Sequence, residues 1–106
     1  MARTIWIEEK SVEFSKIRGE EIKKLIHRWD VYVKDIQISL TGNEYIDMIM
    51  GRDIIEEALN KLDKLEDTKE LRKQLETVDE EFKKQIPTVL KKFGRLAYWP
   101  EYPKSY

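Results

Sequence analysis

The chain contains no cysteine. That excludes disulfides, thiolate catalysis and zinc sites built on cysteine ligands. It contains one histidine, His27, with Lys24 three residues before it. The paired Glu-x-x-His elements of a di-iron carboxylate bundle are therefore missing, and His27 reads as an ordinary helix residue beside Val31. Glycine is scarce, and no two of the four glycines lie closer than nine residues. No phosphate-cradling Gly-rich loop and no Gly-x-Ser-x-Gly elbow can be built from them. Long apolar runs are also missing. The stretch Tyr45 to Met50 already contains Asp47, far short of the ~20 residues of a membrane span. The first ten residues hold no apolar signal-peptide core, so a soluble, cytoplasmic protein with no membrane partner is the expectation. Nor is there an excess of one charge. Twenty Lys and Arg face 21 Asp and Glu, a net charge of -1, which gives no global basic field for wrapping nucleic acid. Hydrophobic residues make up 41% of the chain, enough for a core, so this is not a disordered acidic tail. At 106 residues a single domain spanning 1–106 is expected.

What is present is helical periodicity punctuated by a few breakers. In the first segment Ile5 and Ile7 alternate, as do Val12 and Phe14, a pattern of short extended pieces. Residues 1–18 are read as an arm whose Trp6 and Phe14 pack on the domain. From Gly19 to Leu40, the residues Ile22, Leu25, Ile26, Trp29, Tyr32, Val33, Ile36 and Leu40 fall on one stripe at helical spacing. His27, Val31 and Ile38 form a thinner apolar line on the other side, the mark of a helix contacted on two faces. Thr41-Gly42-Asn43-Glu44 breaks the pattern. Gly42 suits the position after a helix, and Thr41 with Glu44 three residues on suits a capping box for the next one.

The second helix is expected from Glu44 to Leu65. Its stripe is Met48, Gly51, Arg52, Ile55, Leu59 and Leu62, while Ile46, Ile49, Met50 and Ile54 lie elsewhere around its axis. An element apolar nearly all round is central in the fold or forms an interface. Leu71, Leu75, Val78, Phe82 and Ile86 make a third stripe. Were the second helix to run on unbroken, this stripe would point about 180° away from Ile55, Leu59 and Leu62, so a turn is placed at Glu66 to Lys69, with Asp67 and Glu70 as cap. The alternative is one continuous helix spanning two subunits. Pro87 stops or restarts the third helix, and Val89, Leu90 and Phe93 offer a short fourth apolar face. Pro100 and Pro103 exclude a helix in the tail, which should be extended. The fold class expected is all-α: a small antiparallel helical bundle over 19–94, with three main helices and a short fourth, an N-terminal arm over 1–18 and an extended aromatic and proline tail over 95–106. Its expected core is Ile22, Leu25, Trp29, Val33, Ile36, Met48, Ile55, Leu59, Leu62, Leu71, Leu75, Val78, Phe82 and Leu90.

No catalytic, metal or cofactor site is nominated, and the chain is read as a non-enzyme. Tyr98, Trp99, Tyr102 and Tyr106 crowd the last nine residues. Such side chains are enriched at binding hot spots. Together with Ile46 and Met50 they are the expected partner-binding residues of a protein–protein interaction module: a small regulator, adaptor, or antitoxin- or immunity-like protein, expected to form a homodimer because the second helix needs cover on more than one side. The tail could equally close the end of a thin core. A second reading is a Mg²⁺-dependent all-α nucleotide phosphohydrolase using Glu56, Glu76 and Asp79, since Asp53-x-x-Glu56 and Glu76-x-x-Asp79 pair acids one turn apart. All-α nucleotide pyrophosphohydrolases use a comparable pair of elements, but Asp53 stands where their first Glu is expected, and Asp53 and Glu56 point roughly 100° to 160° away from Ile55. A third reading is single-stranded nucleic-acid binding through Lys91, Lys92, Arg95, Tyr98 and Trp99, a local basic and aromatic group.

Overall fold

A computed structural model describes residues 3–93. The described residues are mostly helical, with four helices and one two-stranded sheet. The elements are strands β1 (Thr4–Ile7) and β2 (Lys10–Glu13), a single 3₁₀ turn at Phe14–Lys16, and helices α1 (Gly19–Asp35), α2 (Gly42–Leu62), α3 (Lys69–Lys84) and α4 (Ile86–Phe93).

The expected arm is thus an antiparallel hairpin, with Ile5 opposite Val12 and Trp6 opposite Ser11. The alternation of Ile5 and Ile7 sets which face is buried. Both isoleucines enter the core, and Trp6 between them stands 62% exposed. Trp6 therefore does not pack on the domain as expected, whereas Phe14 is half-buried against the core. Glu8 and Glu9 form the two-residue loop with φ of 47° and 65°. Two consecutive residues with positive φ make a turn whose twist matches the strands it joins.

Helix α1 ends at Asp35, five residues before the expected stop. The amides of Ile38, Ser39 and Leu40 all donate to the Asp35 carbonyl, and Ile36 and Leu40 stay buried in this non-helical turn. Gly42 falls inside the first turn of α2 rather than behind α1. The Thr41 box is as the sequence indicates: its hydroxyl accepts from the Glu44 amide at 3.2 Å, and the Glu44 carboxylate accepts from the Thr41 amide at 3.1 Å. A turn does part α2 from α3, but it covers 63–68 and not 66–69: α2 stops at Leu62, three residues before the expected Leu65, and Thr68, not Asp67, is the residue that precedes α3. There the Lys69 amide donates to Asp67 at 2.9 Å, relieving one of the first orphan donors of α3. Pro87 occupies the first turn of α4, where its missing N–H costs nothing.

Helix α1 is the central element, in contact with α2, α3 and β1. Gly19 lies beside Leu71 at one end of α3, and Gln37 bonds Gln85 just past its other end. Thirteen of the fourteen expected core residues are buried. The exception is Leu90, 46% exposed, with Val89 fully buried in its place. The second apolar line of α1 is not covered within the described residues: Val31 and Ile38 are exposed.

Candidate functional site

Two features could carry function. The first is the outer face of α2. Ile46 and Met50 are 46% and 54% exposed, while Ile49 is buried and Ile54 half-buried. The all-round apolar start of α2 is thus resolved into a core side and an open side. Ile46 and Met50 sit one helical turn apart, so their side chains are neighbours. Further along this face the hairpin takes over. Arg3 pairs with Glu57, and Lys61 donates to the Phe14 carbonyl at 3.1 Å while sitting over the Phe14 ring. Arg3 and Phe14, at the two ends of the hairpin, therefore meet Glu57 and Lys61 in the second half of α2, and Ile46 and Met50 stay open beside Asp47 and Asp53.

The second feature is a polar network inside the bundle. Arg52 lies on the core stripe of α2 and is 3% exposed. Its guanidinium donates from Nε to Asp79 Oδ1 at 2.9 Å and from Nη2 to Oδ2 at 2.8 Å, the bidentate geometry that favours arginine over lysine. The Trp29 indole Nε1 donates to the same Oδ1 at 2.9 Å. Arg52 also reaches Glu56 at 3.3 Å, and Glu56 meets Arg72 at 3.7 Å. Arg72 continues to Asp63 and Asn60, and Thr68 donates to Asp63. Hydrogen bonds from Arg72 and then Thr68 hold the Asp63 carboxyl below its ordinary value, and Asp63 in turn raises Arg72. One chain of contacts thus joins α1, α2 and α3.

This network sets the acidic pairs in their place. Glu56 and Asp79 do come together, but on Arg52, whose guanidinium supplies the positive charge a metal ion would bring. Glu76 is exposed and has no part in the group. Among the described residues, no cluster of three or more His, Cys, Asp or Glu side chains gathers as a metal site would. Sequence reasoning placed Arg52 on the core stripe without seeing its role; the signal was a single charge at a core position, matched by Asp79 one turn before Phe82 on the third stripe.

The other expected site residues divide. Tyr98, Trp99, Tyr102 and Tyr106 lie outside the described residues, as does Arg95. Lys91 and Lys92 are on α4, and Lys92 donates to the Ile36 carbonyl at 3.0 Å, so one of the two acts as a tie between α4 and the end of α1. Among the described residues no helix is long and apolar enough to cross a membrane. No family model matches the chain, and no curated protein or solved structure is significantly similar to it.

Proposed function

We propose that the chain is a non-enzymatic protein–protein interaction module, a small regulator or adaptor of the antitoxin or immunity kind, built as an antiparallel helical bundle that pairs with a second copy of itself. The observation that supports this is the open outer face of α2. Two large apolar side chains, Ile46 and Met50, stand exposed one turn apart on the face whose far end, at Lys61, meets the Phe14 carbonyl. Burying the exposed half of each side chain contributes about 1 kcal/mol. A methionine adapts its shape to whatever it meets. Two helices crossed about a two-fold axis would bring each Ile46 and Met50 against its counterpart, the self-complementary contact that a symmetric dimer needs. Tyr98, Trp99, Tyr102 and Tyr106 would then carry the contact with the protein partner.

The test has two arms. Light scattering on the full chain should give a dimer for the native sequence and a monomer for Ile46→Lys with Met50→Lys, at unchanged far-ultraviolet dichroism. A native chain that is monomeric at tens of micromolar, or a double variant that stays dimeric, overturns the dimer. Replacing the four tail aromatics by serine in the full chain should abolish partner capture and leave the helical signal intact. If that variant unfolds, the tail belongs to the core and its assignment as a binding element is wrong.

A further inference from the structure

A cleft of ≈ 350 Å³ opens between the hairpin and the middle of α1, with no residue of α2 in its lining. Its volume is near the lower end of ligand pockets, which run about 300–1,000 Å³, room for a side chain or two rather than a large cofactor. The floor is aliphatic: Ile7 and Leu25 line it and are buried. The walls are Trp6 and Val31, both exposed. The backbone at Trp6 is anchored, because Ile5 and Ile7 on either side are buried in the core, and its cross-strand partner is Ser11, too small to cover an indole. An uncovered tryptophan over an aliphatic floor has the composition of a binding hot spot.

Charge at the cleft departs from the near-neutral balance of the whole chain. Lys24 and Arg28 line it, opposed by Glu8 alone, which sits 3.4 Å from Lys24. Arg28 lies over the Tyr32 ring at 5.5 Å and bonds its hydroxyl at 3.4 Å, so its guanidinium is already braced. The basic group is short. Glu20 precedes Lys24 by one turn and Asp35 follows Val31 by one turn. From Lys24 to Val31 the helix rises about 10 Å, the length of about three extended residues. That is too short to track a polyanion backbone, and Trp6 is the single indole or phenyl ring lining the cleft, so successive bases would have no second stacking platform.

We propose that this cleft is a docking site for a short acidic segment of a partner protein, one that seats a large apolar side chain between Trp6 and Val31 and sets carboxylates on either side of it against Lys24 and Arg28. None of the residues that line the cleft lies on α2, so the proposal does not require the dimer. The decisive experiment is a selection of displayed random 12-residue peptides on the full chain, run in parallel on Trp6→Ala. Selected peptides should place Trp, Phe or Leu between Asp or Glu residues. A synthetic peptide of the consensus should bind about tenfold more weakly to Trp6→Ala and to Lys24→Glu with Arg28→Glu, and equally well to Ile46→Lys with Met50→Lys. Trp6 is exposed, so its removal should leave the dichroism spectrum unchanged, and Val31→Ala gives an independent variant of the opposite wall. Selection of peptides without acidic residues overturns the proposal, as does binding indifferent to both Trp6→Ala and Val31→Ala. Trp6-dependent binding of a 12-nucleotide oligothymidylate in place of peptide also overturns it.

Discussion

Both oxygens of the Asp79 carboxylate accept from the guanidinium of Arg52, at 2.9 and 2.8 Å, across the α2–α3 contact. Because Arg52 is almost wholly buried, removing its partner leaves a desolvated charge. Asp79→Leu should therefore destabilise the fold by about 3 kcal/mol, the lower end of the range for breaking a buried pair, since Glu56 still reaches Arg52. Adding Arg52→Met should recover part of that loss, because packed apolar residues replace a buried pair at little cost, while the Trp29 indole loses Asp79 as its acceptor in both variants. Urea unfolding of the two single variants and the double variant measures this. Losses that simply add would show that the two residues do not act as a pair.

The Glu8–Glu9 loop predicts a gain. Non-glycine residues with positive φ carry a cost of order 1 kcal/mol or more, and turns of this kind favour glycine at the second position. Glu9→Gly should raise stability by about 1 kcal/mol, or the melting temperature by about 4 °C. Glu9→Val, which adds a branched side chain at the same φ of 65°, should lower it. Thermal melts of both variants check the pair of signs.

Asp63 predicts part of the acid response. Its folded value lies below the ordinary 3.8, chiefly through the hydrogen bonds from Arg72. A group depressed in the folded state stabilises fully above its unfolded value, and the contribution fades as pH falls through the folded value. Asp63→Asn should thus lose less stability than the native chain as pH falls below the ordinary carboxylate value of 3.8. At pH 7 it should cost under about 1 kcal/mol, because the pair is partly exposed. A pH series of urea melts reports both.

Helix α4 predicts a contrast between neighbours. Val89 is fully buried and Leu90 half out in solvent. Val89→Ala should cost about 2 kcal/mol, and Leu90→Ala less than about 0.5 kcal/mol. Equal losses would mean that α4 is rotated about its axis.

Where the sequence was legible, a local chemical signal coincided with the tertiary demand. Thr41 and Glu44 carry a capping pattern that works without any other part of the chain, and the reversal of stripe between Leu62 and Leu71 forces a turn whatever the fold. The misreadings share a different origin. No glycine or proline marks the end of α1, and Ile36 and Leu40 stay buried beyond it, so the stripe runs on past the last helical residue. Glu8-Glu9 is not a turn-forming pair by composition, so the hairpin looked like an arm and Trp6 was assigned inward. In α4 eight residues supply too little periodicity to choose between Val89 and Leu90. The open face of α2 was visible as an excess of apolar residues, but only the position of the hairpin decides that Ile46 and Met50 are the ones left uncovered. The Trp6 cleft depends on bringing residues 6 and 7 beside residues 24 to 31, which no local pattern encodes.

The end of α1 has a consequence for how the chain breathes. Three amides converge on the Asp35 carbonyl, and Lys92 closes the next carbonyl at Ile36. A connection between two helices ordinarily exchanges its amide protons with solvent freely. Here the amides of Ile38, Ser39 and Leu40 should exchange at rates close to those of the last turn of α1, and should be released together when α4 lifts away. Two stretches of chain more than fifty residues apart would then open as one unit.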